Sequence, residues 1–83
     1  MQDQIRQILI QNGRLAVPIE SLTDDADLFA VGLDSLAIVN VLMSIEEQFD
    51  IELPDELLSR RTFASIGSIT RVVAKLTERV PST

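Results

Sequence analysis

Apolar residues in this chain recur at helical spacing in three stretches and lose that spacing between them. In QDQIRQILIQN, residues 2–12, Ile5, Ile8 and Leu9 share one side of a helix, and Gly13 offers it a C-terminal stop. Residues 14–33 break the pattern. Pro18 is followed by Ser, Thr and four acids, with Leu15, Val17, Ile19, Leu22, Leu28 and Phe29 irregularly placed. This reads as a long ordered loop whose apolar side chains plug into a core, and a loop so long in a small domain is often functional.

Residues 35–49 carry the clearest helical signal. Turning about 100° per residue divides the apolar side chains into two opposite stripes. Ile38, Val41, Leu42, Ile45 and Phe49 form the longer, core-facing stripe; Leu36, Val39 and Met43 form the other. An amphipathic helix needs only one such stripe, so the second either covers the loop or stands exposed as a docking surface.

FDIEL, residues 49–53, alternates like a strand but has no partner strand, so it reads as an extended link. Pro54 suits the first turn of a short helix running through PDELLSRR. Ser65 caps a last helix with Ile66, Ile69, Val72, Val73, Leu76 and Val80 on one side; Phe63 precedes it and Pro81 stops it. The expectation is an all-α fold. It is a small four-helix bundle, three longer helices and one short, with a long ordered loop after the first, and residues 1–83 form a single domain.

Composition narrows the chemistry. With no Cys and no His, there is neither thiol chemistry nor the ligand set of a structural zinc site. No apolar run reaches a membrane span and no signal peptide is visible, so a cytoplasmic monomer is expected. Between Glu20 and Glu56 stand eleven acids and no base, whereas the rest of the chain holds Asp3 and Glu78 against all seven bases. An acidic segment of this kind repels nucleic acid and anionic lipid and attracts basic protein surfaces.

The stretch VGLDSLAIVN, residues 31–40, sets Asp34 and Ser35 at a helix start. A nucleophilic serine needs a base, and the chain has no histidine and a single lysine, Lys75, on the solvated side of the last helix. G-L-D-S-L also lacks the second glycine of a nucleophile elbow. Two readings stay open. The pair caps the helix, or the serine is an acceptor for a phosphate ester seated on the free N–H groups of the helix start.

Residues 27–58, DLFAVGLDSLAIVNVLMSIEEQFDIELPDELL, resemble the acyl carrier protein family. Four features in register carry the resemblance: Asp27-Leu28, Gly32-Leu33-Asp34-Ser35-Leu36, Ile45-Glu46-Glu47-Gln48-Phe49 and Ile51-Glu52-Leu53-Pro54. The resemblance implies a four-helix bundle that is a covalent carrier, not an enzyme. Its 4′-phosphopantetheine arm sits on Ser35, placed there from coenzyme A by a phosphopantetheinyl transferase. The arm's thiol, which this cysteine-free chain must borrow, holds acyl groups as thioesters for loading, modifying and acyltransferase enzymes with basic surfaces. Gly32, Leu33, Asp34 and Leu36 complete the motif, and Leu36, Val39, Asn40, Met43, Glu46 and Glu47 become the partner-docking face.

Against the pattern of fatty-acid-synthesis carriers, Ala37 and Asn40 stand where acids are expected, and Arg60 and Arg61 where the family is acidic or mixed. A dedicated pathway is therefore expected, with an aminoacyl or peptidyl carrier, or an unmodified interaction module, as the alternatives. Asp24, Asp25 and Asp27 do not open a calcium loop: counting from Asp25, position five is Phe29 and position twelve Leu36. No metal site is expected.

Overall fold

The computed structural model describes residues 1–78. Four α-helices follow in order: α1, Gln2–Asn12; α2, Ser35–Phe49; α3, Arg60–Phe63; and α4, Ile66–Glu78. Two 3-10 turns, Ile19–Ser21 and Asp55–Leu57, interrupt the connections, and there is no strand among the described residues. The first helix packs on both α2 and α4, and α3 packs on α4. The all-helical bundle of three longer helices and one short is thus the observed architecture. No described helix is long and apolar enough to cross a membrane.

The core forms where the apolar stripes meet. Ile5, Ile8 and Leu9 of α1, Val41 and Ile45 of α2, Phe63 of α3, and Ile66, Ile69 and Val73 of α4 are buried in one core cluster. Each such side chain contributes about 1.5–3 kcal/mol on leaving water. Asn12 ties α1 to α2 as its amide donates to the Ser44 hydroxyl at 3.0 Å.

The end of α1 is tighter than a simple glycine stop. A Cβ on Gly13 would lie 2.7 Å from the Leu9 carbonyl oxygen, so the close approach requires glycine, while Arg14 takes the left-handed turn at φ 53°. The long loop plugs the core as expected with Ile19 and Leu28, and less deeply with Leu15, Leu22 and Phe29. Val17 does not join them and is exposed.

The segment after α2 departs from expectation. One helix from Pro54 through Arg61 is replaced by the turn Asp55–Leu57 and the separate helix α3. Leu58, at φ −86° and ψ 61°, leaves helical geometry, and the Ser59 side chain caps the next helix by accepting from the Thr62 N–H. A serine inside the expected helix starts a new one because its oxygen competes for first-turn donors. The link expected over FDIEL is shorter than its five residues: Phe49 closes α2, Asp50 caps it in a left-handed conformation, and the non-helical residues 51–53 that follow are anchored by buried Leu53. Ser65 caps α4 by accepting from the Ser68 N–H at 3.1 Å. Val80 and Pro81, expected in and after this helix, lie outside the described residues.

Candidate functional site

The loop before α2 is built to deliver residues 32–36 in one conformation. Leu28 is fully buried, its N–H donates to the Ala64 carbonyl at 2.8 Å, and its own carbonyl accepts from Leu33 N–H at 3.0 Å. Asp27 turns the chain just ahead of it, accepting from the Phe29 N–H at 3.0 Å. The Ala16 N–H donates to the Val31 carbonyl at 2.8 Å, joining the two arms of the loop. Gly32 lies at that junction with φ +115°, and a Cβ there would stand 3.3 Å from the Ala16 nitrogen. Both the backbone angle and the space favour glycine. Leu33 is buried beneath the turn.

Farther back, Arg6 staples the loop to α1. Its guanidinium donates to the carbonyls of Ile19 and Leu22 at 3.1 and 3.2 Å and meets the Asp24 carboxylate at 2.9 Å. The Gln2 side-chain amide and the Arg6 guanidinium hold the Asp24 carboxyl below its ordinary range. This staple went unread in the sequence, where Arg6 is one basic residue on an otherwise ordinary helix.

At the start of α2 the two polar residues have different tasks. Asp34 is the cap: its backbone is extended and its carboxylate accepts from the Ala37 N–H at 2.8 Å. Ser35 is exposed, and among the described residues its hydroxyl has no hydrogen-bond partner. No acid other than this cap occupies the first turn of the fifteen-residue helix. An exposed hydroxyl beside free backbone N–H groups at the positive end of a helix dipole suits a phosphate ester.

The two stripes of α2 separate as their spacing implies. Val41 and Ile45 are buried, with Ile38, Leu42 and Phe49 packed partly against the core. Leu36, Val39 and Met43 are 63%, 49% and 61% exposed. Asn40 and Glu47 are also exposed. Glu46 is half-buried, and its carboxylate accepts from the Leu53 N–H at 2.8 Å, which gives it a bond within the chain. Ala37, which stands where an acid is expected, is buried at 1% exposure. Its position inside the first turn rotates it onto the core side with Val41 and Ile45.

On the other side of the loop, the Arg60 guanidinium lies over the Phe29 ring, 4.0 Å from its centroid. It rims an open concavity with Asp25, Asp27 and Arg61. No group of acids among the described residues is arranged to hold a metal ion.

Comparison with known proteins places this geometry in a class. Residues 3–73 match the family model described as the phosphopantetheine attachment site. The aminoacyl carrier protein of Agrobacterium fabrum is 49% identical over 73 residues, covering 88% of each chain. The acyl carrier protein of Wolinella succinogenes is 31% identical, over 86% of this chain and 90% of that one. A chain in the crystal structure of an engineered Bradyrhizobium japonicum glycine:[carrier protein] ligase complexed with carrier protein from Agrobacterium tumefaciens and AMP superposes with TM-score 0.86. It is 49% identical, covering 89% of this chain and 99% of that chain. The chain therefore belongs to the phosphopantetheine-attachment carrier proteins, which are covalent carriers and not catalysts. Its prosthetic group is phosphopantetheine.

Proposed function

We propose that Ser35 is the residue that bears the 4′-phosphopantetheine arm and that the arm's cargo is an aminoacyl group. The observation that carries the first half is the division of labour at α2: Asp34 caps the helix, so the Ser35 hydroxyl stays exposed and unbonded. A phosphopantetheinyl transferase is the partner for loading. The Ser35 oxygen bonds to the pantetheine-bearing phosphorus of coenzyme A as the pyrophosphate bond breaks. Adenosine 3′,5′-bisphosphate leaves with the electron pair, and the hydroxyl proton passes to a base of the transferase. This chain, without histidine, supplies the oxygen and the anion-tolerant helix start. The arm supplies the thiol that a cysteine-free chain lacks.

The cargo reading rests on the relatives. Sequence alone ranks an acyl group first. The Agrobacterium fabrum aminoacyl carrier, at 49% identity against 31% for the Wolinella succinogenes acyl carrier, reverses that order. The structural neighbour described with a glycine:[carrier protein] ligase supports a small amino acid as the loaded group. Leu36, Val39 and Met43, edged by Asn40 and Glu47, form the face we assign to partner enzymes; Glu46 is already bonded to the Leu53 N–H.

The test is loading of the arm-bearing protein by a glycine:[carrier protein] ligase with ATP and each amino acid in turn. A mass increase of one aminoacyl residue, removed by hydroxylamine, is expected. Failure with every amino acid, alongside efficient charging by a malonyl transacylase, would restore the acyl reading.

A further inference from the structure

Four of the seven basic residues of this acidic chain lie on two neighbouring helices. Arg60, Arg61, Arg71 and Lys75 lie on α3 and α4, whereas Glu20 through Glu56 holds eleven acids and no base. Two adjoining depressions, of about 420 and 360 Å³, run between the Asp55–Leu57 turn and α4 and share Glu56, Leu57, Arg71 and Val72. Leu57, Val72 and Leu76 are half-buried against the core and form an apolar floor. Arg61, Arg71 and Lys75 are exposed along the rim. None of the three is ion-paired among the described residues, where Arg6–Asp24 is the salt bridge. Arg71 reaches only the Ser68 hydroxyl, at 3.4 Å.

We propose that this groove binds a short acidic segment of a protein partner, one that sets leucine-like side chains on the floor and carboxylates against Arg61, Arg71 and Lys75. Charge complementarity selects the occupant: three unpaired cations face the groove against the single acid Glu56. The rest of the molecule rules against an extended polyanion. A nucleic acid or an anionic membrane is larger than the groove and would also meet the field of a chain with net charge −6, whereas a short segment touches the groove alone. The floor requires apolar contacts as well as charge, which a free phosphate cannot supply. This surface lies on α3 and α4 and uses neither Ser35 nor the exposed stripe of α2, so the carrier can be held there whatever its arm carries.

The test is a fluorescein-labelled twelve-residue peptide of glutamate and leucine, titrated into isotopically labelled full-length protein. A lysine–leucine peptide of the same length and vesicles of phosphatidylserine serve as comparisons. Amide shifts are expected at Leu57, Ser68, Arg71, Val72 and Lys75, with binding that weakens as salt rises. Arg71→Glu with Lys75→Glu should weaken the peptide at least five-fold, and Met43→Glu should not. If the double reversal fails to fold, Arg71→Gln with Lys75→Gln is read in its place and should weaken binding at least two-fold. The proposal is overturned by any of four results: no shifts, shifts confined to α2, equal binding of the basic peptide, or binding of vesicles without the acidic peptide.

Discussion

The Asp34 carboxylate accepts the Ala37 N–H at 2.8 Å, and this bond separates the two roles that adjacent polar residues at a helix start could share. Serine is as good a cap as aspartate in general. Here the cap falls to Asp34, and Ser35 stands one residue inside the helix with its hydroxyl free. Asp34→Ala should therefore destabilise the fold by about 1 kcal/mol, the usual worth of such a cap, measured by urea unfolding. Asp34→Asn, which keeps an accepting oxygen, should recover most of that loss. An alanine variant as stable as the parent would show that the bond contributes nothing to α2.

Ala37 yields a second expectation, opposite to the one its sequence position suggests. At 1% exposure, it has no room for a charge, and Ala37→Asp would bury a carboxylate without a counter-ion. The effective penalty for such a charge is several kcal/mol, a large fraction of a small domain's stability. The variant should be largely unfolded by circular dichroism. Asn40→Glu, on the exposed side of the same helix, should melt within a few degrees of the parent. A well-folded Ala37→Asp protein would contradict the observed rotation of α2.

The stripes of α2 offer a direct contrast. Ile45 is fully buried, and Ile45→Ala should cost about 2–5 kcal/mol from lost transfer energy and the cavity left behind. Met43, 61% exposed, should tolerate alanine within about 0.5 kcal/mol while slowing aminoacyl loading by the ligase. Equal destabilisation at the two positions would remove the basis for a docking face.

Much of this was legible before the structure, for identifiable reasons. Ile5, Ile8 and Leu9, and likewise Val41 and Ile45, declare their burial because helix spacing is long and regular there. The Asp34-Ser35 pair marks a helix start in either of its readings. What the pattern could not reveal depends on single contacts. Ala37 is too small to register as apolar patterning, although its backbone position places it in the core. Ser59 divides an expected helix through a local bond to the Thr62 N–H. Arg6 works over a separation of 18 residues to Asp24, a relationship no local window contains.

That staple has a pH signature. The Gln2 amide first, then the Arg6 guanidinium, lower the Asp24 pKa from its ordinary 3.8, with desolvation acting in the opposite direction. A depressed folded-state pKa means that the stabilisation is complete above the ordinary value and is lost as pH falls through the folded one. Titration followed by side-chain NMR should place the Asp24 midpoint below 3.8, and Arg6→Gln should move it upward. A parent midpoint at or above 3.8 would mean that the contact is not maintained in solution.

The central claim is that Ser35 receives the arm, and intact-protein mass spectrometry with fragmentation tests it most directly. The purified chain is incubated with coenzyme A and a broad-specificity phosphopantetheinyl transferase, beside Ser35→Ala and an established carrier as a positive control. The account predicts one added phosphopantetheine, localised to Ser35 and absent from Ser35→Ala. An arm found on another serine, or an unmodified chain while the control carrier is fully converted, would contradict it.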